Sequence, residues 1–136
     1  MTPQPIILYV EDDPQSREIM RFLCEVVLGL AHVNIFENSA NFLERLTALD
    51  PKPNIILLDI HVPPYDGFEM LAMLRQLPAF QDTPTVALTA SVMNEEVEKL
   101  RNAGFNGIIA KPVDTDQFAT VIQRILDGQT HWTVIE

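Results

Sequence analysis

A chain of 136 residues with 19 acidic against 9 basic side chains has a formal net charge of −10. That works against binding nucleic acid or an anionic membrane, both of which need Lys and Arg. An apolar content of 47% and a charged content of 21% suit one globular domain with its own core, and no apolar stretch nears the ~18 residues of a membrane span.

The amino terminus has neither a basic start nor a long apolar run, which predicts a cytoplasmic protein. Cys24 is the single cysteine, so no internal disulfide is expected. In chain order, Ile6-Ile7-Leu8-Tyr9-Val10 reads as a first strand running into Glu11-Asp12-Asp13. Asp13 is a helix cap with Pro14 at the first helical position, where the missing N–H costs nothing. Ile19, Met20, Leu23, Cys24 and Val27 then recur at helical spacing up to a stop at Gly29, which gives Cys24 a plain core role. Residues 32–36 alternate and predict a less buried edge strand.

Ser39 is the expected cap of a second helix whose apolar face is Phe42, Leu43, Leu46 and Leu49, ended by Asp50-Pro51-Lys52-Pro53. Ile55-Ile56-Leu57-Leu58 is apolar throughout, as a strand covered on both faces should be, and stops at Asp59. Pro63, Pro64, Asp66 and Gly67 form a rigid turn before a helical face of Phe68, Leu71, Leu74 and Leu77. Residues 85–88 form a fourth strand that stops at Thr89, and residues 92–103 a fourth, acidic helix. Gly104 and Gly107 bracket the turn into a fifth strand, Ile108-Ile109-Ala110, which stops at Lys111-Pro112. Asp114 is the expected cap of a last helix with Phe118, Val121, Ile122, Ile125 and Leu126 along one stripe.

Five strand–helix units of this size predict an α/β fold, a doubly wound five-stranded parallel sheet with five helices and right-handed crossovers. In such a sheet the polar residues that end the strands emerge together at the carboxyl edge, where open α/β sheets hold ligands. A pair of acids, a lone Asp, a hydroxyl and a Lys at one edge suit the transfer of a phosphoryl group onto a carboxylate with help from a divalent cation. Crowded carboxylates repel unless a cation lies between them, and Mg²⁺, which takes oxygen ligands, is the natural one.

The segments Val10-Glu11-Asp12-Asp13-Pro14, Leu58-Asp59-Ile60-His61-Val62-Pro63 with Asp66-Gly67, Leu88-Thr89-Ala90 and Lys111-Pro112 resemble in type, order and spacing the receiver domain of response regulators in bacterial two-component signalling. The resemblance runs from residue 6 to about 126, and predicts a receiver domain at 1–128 with a short tail at 129–136. It implies the flavodoxin-like strand order 2-1-3-4-5. It also implies that Asp59 is the phosphoacceptor, with Lys111, the Thr89 hydroxyl and the Ala90 backbone N–H stabilising the transferring group. Asp12, Asp59 and the His61 backbone carbonyl would bind Mg²⁺ directly, with Glu11 acting through a water. His61 and Ser91 would flank the path of attacking water, and the Lys111–Pro112 bond would be cis.

Thr89 and position 108 would form the switch, except that the family's aromatic residue is here Ile108, stiff and without a hydroxyl. The output surface would be the fourth helix, fifth strand and fifth helix. The implied function is a stand-alone signalling receiver. A sensor histidine kinase or histidine phosphotransfer protein would supply its phosphoryl group, and an unidentified downstream protein would read it. Self-phosphorylation from phosphodonors and autodephosphorylation are expected, without turnover of a separate substrate. A homodimer is left open.

Three rivals are weaker. An Asp-dependent phosphatase of another α/β family would carry a second Asp where His61 stands. A flavin carrier would need a phosphate-cradling loop where this chain has Glu11-Asp12-Asp13. A degenerate receiver serving only as a phosphorylation-independent interaction module would not need Asp59, Thr89 and Lys111 together. For Trp132, Val134 and Ile135 the tail allows folding back, docking on a partner, or remaining loose. His32 and His131 match no zinc-ligand spacing.

Overall fold

The computed structural model describes residues 4–132. The strands are β1 (Ile7–Val10), β2 (Asn34–Phe36), β3 (Ile55–Asp59), β4 (Thr85–Thr89) and β5 (Gly107–Ala110). They form one parallel sheet in the order β2-β1-β3-β4-β5. The helices are α1 (Pro14–Phe22), α2 (Phe42–Thr47), α3 (Gly67–Arg75), α4 (Asn94–Ala103) and α5 (Phe118–Leu126). This is the five-stranded doubly wound fold that the alternating pattern predicts. Among the described residues, no helix is long and apolar enough to cross a membrane.

Alternate residues of the three central strands point to opposite faces and feed two separate cores. Leu8, Val10, Ile56, Leu58 and Ala87 pack with Phe42, Leu46, Leu71 and Leu74 on the face covered by α2 and α3. Ile7, Tyr9, Leu57, Val86 and Leu88 pack with Met20, Leu23, Phe118 and Ile122 on the face covered by α1 and α5. All positions of β1, β3 and β4 are buried, so their side chains can meet ligands only near the strand ends.

Three local expectations change. Beyond Phe22, α1 widens into a π-type turn over Leu23–Val27, with the Leu28 N–H reaching back to the Leu23 carbonyl. The extra residue per turn rotates the following side chains off the core face. Cys24 is buried as expected, but Val27 is 46% exposed, and Ile19 on the preceding turn is 42% exposed. Phe22 and Val26 are exposed beside them, so α1 carries an apolar stripe outward.

Ser39 does not cap α2. Asn41 takes that position in a left-handed conformation, and the buried Ser39 hydroxyl bonds both the N–H and the carbonyl of Tyr65 at 2.7 Å. A short hydroxyl satisfied by a neighbouring loop is no longer available to the helix start. Nor does the Asp114 side chain cap α5: Gln117 holds that position without a side-chain bond, and the Asp114 carboxylate accepts from the Asp116 N–H at 2.9 Å. Here the chain makes a turn of its own before the helix begins.

Candidate functional site

The ends of β1, β3 and β5 bring three charged side chains into contact. Lys111, just past β5, extends Nζ to 2.8 Å from Glu11 Oε1 and 3.0 Å from Asp59 Oδ2. Register explains the meeting: β1 and β3 are paired through Val10 and Leu58, so Glu11 and Asp59 leave neighbouring strands at nearly the same height. Lys111 comes from a strand two places from β3 and spans the gap with its long stem, its N–H bonded to the Thr89 carbonyl. The Lys111–Pro112 peptide is cis.

Glu11 is fully buried, and its oxygens are all engaged. The Tyr9 hydroxyl donates to Oε1 at 2.6 Å, Lys111 donates to the same oxygen, and the Asp13 N–H donates to Oε2 at 3.2 Å. Arg17 Nη1 bonds the Glu11 backbone carbonyl at 3.0 Å and fastens α1 to the site. Asp59, 5% exposed, accepts from the His61 N–H at 2.9 Å on Oδ1 and from Lys111 on Oδ2. The His61 side chain is exposed.

The charges divide unevenly. Burial pushes Glu11 up to about 7, and the nearby Asp59 adds to the rise, against the pull of Lys111 and Tyr9. Burial acts on Asp59 in the same sense, but the Glu11 carboxyl, the His61 N–H and Lys111 outweigh it and hold Asp59 below the usual carboxylate range. Burial would lower Lys111, yet its two carboxylate partners raise it, so it stays a cation. Asp13 is the α1 cap, its carboxylate held low by Ser16.

Asp12 is exposed beside this buried pair, and one oxygen from each of Glu11, Asp12 and Asp59 lies within 4.8 Å of the others. Three carboxylate oxygens, with no sulfur or imidazole among them, are a donor set that fits a hard divalent cation such as Mg²⁺. Thr89 ends β4 two strands from β1, is 4% exposed, and accepts the Ser91 N–H on its hydroxyl at 3.1 Å. Ala90 is exposed at the same rim, and Ile108 is buried in the sheet at 1% exposure. Glu11, Asp59 and Lys111 are thus in direct contact, Asp12 completes the acidic cluster, and Thr89 stands at the same edge. His61 contributes its backbone N–H and keeps its imidazole outside.

Sequence reasoning missed Tyr9. The signal was present: Glu11 directly follows β1, two residues after Tyr9, and so continues the face that Tyr9 occupies. A tyrosine in an otherwise apolar buried strand needs a partner for its hydroxyl.

A family model described as the response regulator receiver domain matches residues 7–123. An uncharacterized 14.6 kDa protein of Leptolyngbya boryana is 33% identical over 119 residues, covering 87% of each chain. The polar-differentiation response regulator DivK of Brucella anthropi is 29% identical, over 88% of this chain and 94% of its own. The signal transduction histidine-protein kinase BarA of Escherichia coli is 30% identical over 90% of this chain, which spans only 13% of that kinase. Among solved structures, the bacteriophytochrome response regulator RtBRR superposes with a TM-score of 0.77 at 28% identity, over 98% of this chain and 83% of its own. By the family match and by these relatives, the chain belongs to the response regulator receiver domain family.

Proposed function

We propose that this receiver is phosphorylation-dependent: it takes a phosphoryl group onto Asp59 with Mg²⁺ and changes its protein-binding surface in response. The contact of Lys111 with both Glu11 and Asp59, beside the exposed Asp12, carries the reading. Asp12 and Asp59, with the His61 carbonyl, would hold the cation, and Glu11 would act through a water. Bound Mg²⁺ offsets the negative charge of the incoming phosphoryl group and of the acids around it.

An Asp59 carboxylate oxygen attacks phosphorus and forms the new P–O bond while the bond from phosphorus to the donor's imidazole nitrogen breaks. The electron pair stays on that nitrogen, and the product is an acyl phosphate. Lys111, the Thr89 hydroxyl and the Ala90 N–H bind the equatorial oxygens, the main demand of such a transfer. Water later cleaves the P–O bond, releasing inorganic phosphate and restoring the carboxylate. His61 and Ser91 border its approach and set the lifetime.

A sensor histidine kinase or histidine phosphotransfer protein is the donor in this reading, meeting the receiver in the cytoplasm. The outward stripe Ile19, Phe22 and Val26 supports it. Ile19 and Phe22 line a groove that reaches Lys111, Pro112 and Val113, so a partner on α1 would lie beside the acceptor. A degenerate, phosphorylation-independent module is not favoured, because such a module needs none of the ion pairs at Lys111. Incubation with Mg²⁺ and acetyl phosphate, followed by intact-mass measurement, tests the reading. One phosphoryl addition is expected in the native chain and none in Asp59→Asn; addition to both would move the acceptor elsewhere.

A further inference from the structure

β5 ends the sheet, and its outer edge is occupied by the chain itself. His131 pairs with Gly107 as an isolated parallel bridge, the Ile108 N–H donating to the His131 carbonyl at 2.9 Å and the His131 N–H to the Asn106 carbonyl at 3.1 Å. The fit is close at Gly107. A Cβ there would stand 2.8 Å from the His131 oxygen and 3.2 Å from its nitrogen, so only glycine admits the segment without displacement. The next residue, Trp132, packs half-buried against the core that includes Leu100, Phe105 and Ile108, and Arg101 of α4 lies over its ring at 5.1 Å. Two independent contacts, one backbone and one side chain, hold this segment.

The helix it touches is lightly anchored. In α4 only Leu100 is fully buried, and Met93 at its start makes no capping bond. The other end of that helix is connected to the site, since the Ser91 N–H bonds the Thr89 hydroxyl in the loop leading into it. A group that draws Thr89 inward pulls on Ser91 and then on a helix that buries one side chain fully. At the far end that helix carries Arg101, the cation above Trp132.

We propose that the edge of β5 is a docking surface for an extended segment running parallel to it. Its resting occupant is the chain's own His131 and Trp132, and a phosphoryl group on Asp59 loosens that occupant. The loosening rests on the receiver function proposed above; the occupancy does not. Release frees the Ile108 N–H and the Asn106 carbonyl for another strand, the mode by which sheet edges take extended peptides.

Trp132 is the only tryptophan, so its fluorescence reports the segment without labelling. The test uses the full chain with Mg²⁺, before and after acetyl phosphate. It reads acrylamide quenching of Trp132 and amide exchange at Ile108, with the phosphoryl load measured by intact mass in the same sample. Before the donor is added, Trp132 should resist quenching at every protein concentration and Ile108 should be protected. In Trp132→Ala the Ile108 amide should exchange about tenfold faster without any donor.

After phosphorylation, quenching should rise and Ile108 exchange should accelerate by a similar factor, with no change in Asp59→Asn. An unprotected Ile108 amide in the resting chain, or one indifferent to Trp132→Ala, overturns the occupancy. Protection that appears only at high protein concentration overturns it too, by making a second copy the occupant. A full phosphoryl load with Trp132 unmoved overturns the loosening and leaves the receiver function standing. Absence of any load defeats the receiver function and the loosening together, while the resting measurements still decide the occupancy.

Discussion

The Tyr9 hydroxyl donates to Glu11 Oε1 at 2.6 Å, so a buried acid is held from beneath by its own strand while Lys111 holds it from the far side of the sheet. A carboxylate with no solvent exposure is tolerable only when its oxygens are bonded. Tyr9→Phe keeps the ring in the core and removes one donor to a charged acceptor. Its expected cost is about 1.5–3 kcal/mol of folding stability, read from urea unfolding at pH 8. Because the hydroxyl also favours ionised Glu11, its loss should move the Glu11 titration upward. A variant as stable as the native chain would show that the bond contributes little.

The raised Glu11 gives the free protein a stability term with a definite sign. The folded state holds the Glu11 proton up to about 7, whereas the unfolded chain releases it near the ordinary value of 4.5. The term is therefore full below 4.5 and is lost as pH rises through 7. Asp59 works in the opposite sense, its contribution being lost only in acid as pH falls through its depressed value, and His131, lowered by burial and by Arg124, opposes Glu11 only up to its ordinary 6.5, so the fall above that belongs to Glu11. Without Mg²⁺, the urea midpoint should fall from pH 6 to pH 8.

A divalent cation at this cluster competes with the same proton. One proton leaving a group that titrates near 7 makes Mg²⁺ binding about tenfold weaker at pH 6 than at pH 8. Isothermal titration at the two pH values in buffers of different ionisation enthalpy would show both the weaker affinity and the proton release. Binding independent of pH would mean that the cation leaves Glu11 protonated.

Much of this arrangement is legible in the chain. The apolar runs of β1, β3, β4 and β5 each end at a chemistry-bearing residue, and a parallel sheet has one carboxyl edge. Glu11, Asp59, Thr89 and Lys111 are therefore assembled by topology before any side-chain detail is known. What the pattern hides is local. Helical spacing assigns Val27 inward, but the π-type turn over Leu23–Val27 is set by how Leu23, Cys24 and Leu30 fit the core, which no spacing rule contains. Ser39 has a cap's chemistry and a cap's place, yet its partner is Tyr65, 26 residues away and invisible to local reasoning. Val134 and Ile135 lie outside the described residues.

Lys111→Met tests the centre of the site. The substitution keeps the stem and deletes the charge that joins Glu11 to Asp59, leaving two close acids without their shared cation. Phosphorylation by acetyl phosphate should slow by roughly 10²- to 10³-fold, the usual loss when a preorganised charge-stabilising donor is removed. Mg²⁺ should bind more tightly, since it then has no competing ammonium. A slower transfer with tighter metal separates loss of charge stabilisation from loss of the metal site. Unchanged transfer would remove Lys111 from the chemistry.

Ser39→Ala tests whether the loops that frame the site are held from outside it. The Ser39 hydroxyl donates to the Tyr65 carbonyl and accepts the Tyr65 N–H, both at 2.7 Å, joining the loop after β2 to the loop after β3. The Ser39 N–H adds a bond to the Pro63 carbonyl at 3.1 Å, which the substitution leaves in place. Alanine strands two backbone groups of Tyr65 at a part-buried contact, at an expected cost of about 1 kcal/mol. The loop after β3 also carries His61, whose N–H holds Asp59 Oδ1, so the loosened loop should exchange that amide faster. Hydrogen exchange at His61 and Tyr65 together distinguishes the cases. Acceleration at both places the loop's stability in the Ser39 bond, whereas acceleration at Tyr65 alone shows that Asp59 holds its own donor unaided.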